Sequence, residues 1–89
     1  MSEKQLKHAE NVVTRDEGDE TFLFNADTAN FIVINETARF IWDRCEQPVT
    51  IDTLLKNILD EYEVGEAEAK KDLDEHIEKL KQSGFLIES

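Results

Sequence analysis

Between residues 11 and 35 the chain runs in short apolar bursts separated by turn formers. Val12-Val13-Thr14 is a β-branched run. Asp16-Glu17-Gly18-Asp19 reads as a turn, with Gly18 free to take positive φ. Thr21-Phe22-Leu23-Phe24 follows, then a second turn at Asn25-Ala26-Asp27-Thr28. Phe31-Ile32-Val33-Ile34 is the most apolar stretch of the chain. Three strands joined by short turns predict an antiparallel meander.

After Asn35 the apolar spacing lengthens to that of a helix. Asn35 is a suitable N-cap, with Glu36 in the first turn where a negative charge favours the helix dipole. Ala38, Ile41, Trp42 and Cys45 then share one face. Pro48 ends that helix, and Thr50 caps a second whose stripe is Ile51, Leu54, Leu55, Ile58, Leu59 and Tyr62. Gly65 interrupts the pattern. A third helix carries Ala69, Leu73, Ile77 and Leu80, and Gly84 is placed to close it at C′. Phe85-Leu86-Ile87 is expected to lie back against the core. Trp42 and the stripe Leu54, Leu55, Ile58, Leu59 are expected core.

The pattern gives an α+β, winged-helix-like domain: a three-stranded antiparallel sheet followed by three helices. Residues 1–10 read as a flexible tail and residues 11–89 as a single domain. In the usual DNA-binding arrangement the wing follows the third helix, whereas here the sheet comes first.

Charge narrows the function. The 89 residues hold 21 acids and 10 bases, a net charge of −11. The acids are spread evenly rather than gathered in a tail. Such a chain is poorly suited to duplex DNA, which is bound by Lys and Arg displacing counterions, and it is repelled by an anionic membrane. No apolar run is long enough to span a bilayer, and the polar start lacks a secretory signal, so a cytosolic protein is expected. With one cysteine no internal disulfide can form.

Catalytic chemistry finds little to work with. Asp72 and His76 are i, i+4 neighbours, but no second histidine lies at helical spacing and no HExxH occurs. The acidic run Asp16–Glu20 lacks the spacing of a calcium loop and reads as a solvated turn. Cys45 falls on an apolar face near a helix C-terminus, the wrong end of the dipole for a thiolate, and has no histidine base. There is no GxSxG and no glycine-rich phosphate cradle. Neither a metal, a cofactor nor an enzymatic activity is expected.

The third strand stands apart. It is an edge of the meander, it is apolar, and it carries no charge or proline to blunt it. Either a loop or Phe85-Leu86-Ile87 covers it, or a partner peptide pairs with it.

Phe22-Leu23-Phe24-Asn25, followed by Phe31-Ile32-Val33-Ile34-Asn35-Glu36-Thr37-Ala38-Arg39-Phe40-Ile41-Trp42, resembles the PqqD-like family. There a leaf of strands ends in a Leu-Asn-Glu/Ser-Thr/Ala-Ala motif that opens a helix. Pro48-Val49-Thr50-Ile51-Asp52-Thr53-Leu54 and the closing Ser83-Gly84-Phe85-Leu86 are similar to later family motifs, so the likeness spans residues 12 to 87. Members serving pyrroloquinoline quinone synthesis usually carry a Cys-Asp-Gly-like turn after the first helix, where this chain has Cys45-Glu46-Gln47-Pro48.

The resemblance implies a non-catalytic peptide chaperone, the recognition element of a ribosomally synthesised and post-translationally modified peptide pathway. Its partners would be the leader of a precursor peptide and a modifying enzyme, often of the radical S-adenosylmethionine type. The leader would add to the strand Phe31, Ile32, Val33 and Ile34, with Lys70, Leu73, Asp74, Ile77 and Lys81 of the third helix as the other wall. Two rivals remain at this stage: a winged-helix DNA-binding regulator, whose recognition helix would be net negative, and a permanent structural subunit of an enzyme complex.

Overall fold

The structure is a computed structural model and describes residues 4–88. Among these the chain forms six strands and three helices: β1 (Gln5–His8), β2 (Val12–Glu17), β3 (Glu20–Asn25), β4 (Asn30–Ile34), α1 (Glu36–Arg44), β5 (Val49–Thr50), α2 (Ile51–Glu61), α3 (Glu66–Gln82) and β6 (Leu86–Glu88). The predicted meander is the antiparallel sheet β2-β3-β4. The α+β class and the three helices stand as the sequence predicts.

The turns follow their chemistry. Glu17 pairs with Glu20, leaving Gly18 and Asp19 as a two-residue turn with Gly18 at φ +64. Asn35 caps α1 by accepting from the Ala38 N–H at 2.9 Å, and Thr50 caps α2 by accepting from Thr53 N–H at 3.2 Å. At the end of α3, Gly84 N–H donates to the Lys81 carbonyl and Phe85 N–H to the Leu80 carbonyl, with Gly84 at φ +83. This is a Schellman closure, which requires the left-handed conformation that glycine takes without strain.

A second sheet, β5-β1-β6, corrects the reading of residues 1–10 as a tail. Residues 1–3 lie outside the described residues. Gln5–His8, however, is the central strand, paired with β5 on one side and β6 on the other. Its sequence signal is weak because Leu6 is its sole apolar residue, yet Leu6 is fully buried. His8 stacks on Trp42 with ring centroids 3.6 Å apart and donates from Nε2 to the Trp42 carbonyl at 2.6 Å. Tertiary partners, rather than local propensity, hold this strand.

The core lies between the helices and the inner face of β2-β3-β4. Leu23, Ile34, Ala38, Ile41, Trp42, Leu54, Ile58, Leu73, Leu80 and Phe85 meet there. Leu55 and Leu59 pack against it half-buried. The Trp42 indole N–H donates to Thr14 Oγ1 at 3.3 Å. Among the described residues no helix is long and apolar enough to cross a membrane.

Candidate functional site

The two outer edges of β2-β3-β4 differ in kind. Along β2 stand Arg15, Asp16 and Glu17, charges that discourage pairing. Along β4 stand Phe31, Ile32, Val33 and Ile34. Phe85-Leu86-Ile87 does not cover β4: Leu86 and Ile87 pair with β1 in the other sheet, and Phe85 is buried in the core. Among the described residues β4 has β3 as its only strand neighbour.

Ladder phase decides which groups β4 offers. In a two-residue hairpin the closing pair is hydrogen-bonded, so Glu20 bonds back to β2, as do Phe22 and Phe24. The Ala26 N–H donating to the Asn11 carbonyl at 2.9 Å continues the same phase. Thr21, Leu23 and Asn25 therefore bond toward β4, to Ile34, Ile32 and Asn30. Phe31 and Val33 are left with both their N–H and C=O groups directed at the open edge.

Facing this edge is α3. A cavity of about 260 Å³ lies between them, floored by Ile34, Ala38 and Leu80 and flanked by Val33 and Asn35. His76 and Lys79 stand on the helix side, Asp19 and Glu20 at the β2–β3 turn. Two asparagines set the spacing at the other end. Asn25 Nδ2 donates to the Gly84 carbonyl at 2.8 Å, and Asn30 Nδ2 to the Ser83 carbonyl at 2.9 Å. The β3–β4 turn is thus tied to the end of α3.

Of the site residues expected from sequence, Val33 and Ile34 line this cavity, while Phe31 and Ile32 lie along the same open strand edge outside it. Phe31 and Val33 are exposed, Ile32 is half-buried, and Ile34 is buried on the inner face. The helical residues do not gather there. Leu73 and Ile77 are core. Lys81 is 3.4 Å from Glu88 of β6, and Lys70 and Asp74 are exposed on that same flank of the buried stripe. The cleft wall is the opposite flank, His76 and Lys79 with Leu80. An amphipathic stripe has two flanks, and its spacing does not say which one faces the sheet. By sequence Asp19 and Glu20 are turn residues and no more; it is the β2–β3 hairpin that places them at the cleft's end.

Next to the cleft, Arg39 joins α1 to β2. It bonds Asp16, donates to Asp43 at 2.8 Å and to Thr21 at 3.1 Å. The Thr21 hydroxyl holds the Asp16 carboxyl below the usual range; desolvation opposes it, and the Arg39 guanidinium adds to the lowering. Asp43 and Asp16 hold the Arg39 guanidinium above its ordinary value. Cys45 is fully buried, and burial pushes its thiol up to about 12. A thiol so placed is no nucleophile at neutral pH. Among the described residues no three His, Cys, Asp or Glu side chains converge as metal ligands would.

Two solved structures share this fold. A lasso peptide synthetase B1 complexed with its leader peptide aligns with a TM-score of 0.77 and 18% identity, over 92% of this chain and 96% of that one. TbiB1 in complex with the TbiA(beta) leader peptide aligns with a TM-score of 0.75 and 21% identity, over 89% of this chain and 93% of that one. A search of curated proteins returns no match. The family model described as coenzyme PQQ synthesis protein D (PqqD) matches residues 20–86, from the start of β3 into β6, and the chain belongs to the PqqD family.

Proposed function

We propose that this protein is a non-catalytic adaptor that binds the leader of a ribosomally made precursor peptide by strand addition to β4. It then delivers that peptide to a modifying enzyme, of the radical S-adenosylmethionine type that the family resemblance implies, in the cytosol. The observation that carries this reading is the pair of outward-facing peptide groups at Phe31 and Val33. They sit on an apolar edge with no strand partner among the described residues, opposite a ready-made helical wall. The two similar structures were each solved with a leader peptide, which agrees with it. A recognition helix for DNA fits less well, since α3 carries six acids against four lysines.

Two residues supply four main-chain hydrogen bonds, and the cavity over Ile34, Ala38 and Leu80 has room for an apolar anchor. The adaptor provides position rather than chemistry: it raises the local concentration of the peptide at the enzyme. Titrating ¹⁵N-labelled protein with a precursor leader tests the reading. The Phe31 and Val33 amides should shift most and become protected from exchange. Shifts confined to residues away from β4 and α3 would refute it.

A further inference from the structure

The apolar character of the outer face of β2-β3-β4 rises toward the open edge. On β2 that face carries Val13, then Arg15 and Glu17, an ion pair at 3.0 Å. On β3 it carries Phe22 and Phe24, and on β4 Phe31 and Val33. Phe31 is 61% exposed and Val33 37%, although both side chains are apolar. Phe31 rests on Phe22, with ring centroids 5.6 Å apart. A sheet with one solvated face ordinarily turns polar residues outward, so this gradient calls for a cover at the β4 side.

We infer, building on the strand-addition reading above, that the bound peptide segment is apolar on both of its faces over at least three successive residues. Peptide residues paired with Phe31 and Val33 would project onto the outer face beside those side chains, because paired residues share a face. The residue between them would project inward, onto the apolar floor of Ile34, Ala38 and Leu80 and beneath the polar rim of Asp19, Glu20, Asn35, His76 and Lys79. A strand apolar on both faces reads as a continuous run, not as an alternation. The recognised ligand class is therefore a short unbroken apolar stretch within an otherwise soluble leader. A second copy of this chain is a poor alternative cover, since each copy carries a net charge of −11.

The test is a selection of displayed short random peptides on the full chain, with peptides that also bind Val33→Pro discarded as independent of the edge. The edge-dependent peptides should share three or more consecutive apolar residues. Phe31→Thr and Val33→Thr keep strand propensity and should weaken those peptides about tenfold. Phe24→Thr, on the same face but one strand inward, should leave them unchanged. Edge-dependent peptides with polar residues at alternate positions would overturn the inference and leave strand addition standing. An equal loss from Phe24→Thr would also overturn it, by making the whole face the docking surface. Recovery of no edge-dependent peptide would overturn strand addition itself, and this inference with it. Sedimentation showing a dimer that Phe31→Thr dissociates would assign the face to a second copy instead.

Discussion

The buried side chain of Asn25 donates from Nδ2 to the Gly84 carbonyl at 2.8 Å, linking residues 59 apart in sequence. Its Oδ1 accepts from the backbone N–H groups of Asp27 and Thr28, at 2.9 and 3.2 Å. One amide thus shapes the β3–β4 turn and fastens it to the closing turn of α3, which sets how far β4 stands from the helix. Asn25→Ala removes three hydrogen bonds made by a buried side chain and should cost about 1–3 kcal/mol. In a domain of this size that lowers the melting temperature by roughly 4–8 °C per kcal/mol. Asn30→Ala removes one exposed bond to the Ser83 carbonyl and should cost less. Thermal melts of the two variants check the order. Asn25→Ala should also weaken peptide binding without touching the peptide, because the cleft loses its fixed end.

Cys45 gives a pH signature. Its thiol is held up at about 12 in the folded chain, against an ordinary 9.0. Below pH 9 both folded and unfolded chains keep the proton, and the contribution to stability is constant. From pH 9 to about 12 the unfolded chain loses the proton while the folded one retains it, so stability falls as pH rises. Cys45→Ala should lack that component, and lysine titration, common to both proteins, cancels in the comparison. Urea melts from pH 8 to 11 measure the difference in slope; equal slopes would place the thiol in a wetter site. Iodoacetamide at pH 8 should label Cys45 only in the unfolded chain.

Where the chain advertises its structure, the signal is local and repeated. The β2-β3-β4 meander was readable from apolar bursts and from Gly18, the helices from their stripes and from Asn35, Thr50 and Gly84. What was not readable depends on packing between distant segments. Leu6 lies alone in a polar stretch, and nothing near it reveals that Val49 and Glu88 flank it in a sheet. The β4 half of the cleft was visible as an unblunted apolar edge. The α3 half was not, because His76 and Lys79 flank the same buried stripe as Lys70 and Lys81, and only the docking of the helix separates them.

That separation predicts a difference between two lysines. Lys79 borders the cavity, while Lys70 is exposed on the other flank of α3. Lys79→Ala should change the affinity for a leader peptide, and Lys70→Ala should not. Neither substitution alters the core, and alanine raises helix propensity slightly, so both should fold. Calorimetric titration of the two variants with one leader decides the matter. A larger effect at Lys70 would move the peptide to the β6 side of the helix.

The ladder phase predicts opposite fates for two adjacent prolines. Ile32 bonds toward Leu23 of β3, so Ile32→Pro removes a ladder donor inside the sheet and sets the ring Cδ against the Leu23 carbonyl that the donor faced. That variant should unfold, or melt far below the parent. Val33 directs its N–H at the open edge, where proline is tolerated, so Val33→Pro should stay folded with a modest loss from the fixed φ. The same change deletes one of the two donors offered to a peptide and puts a ring in the path of its backbone. Affinity should fall by about 2–3 kcal/mol or more, from the lost bond and the unsatisfied acceptor of the partner. Circular dichroism melts and peptide titration of both variants read the two effects separately. If Val33→Pro remained folded and bound the leader with unchanged affinity, the peptide would not be pairing with β4. If Ile32→Pro proved the milder of the two, the phase assigned from Ala26 and Asn11 would be inverted.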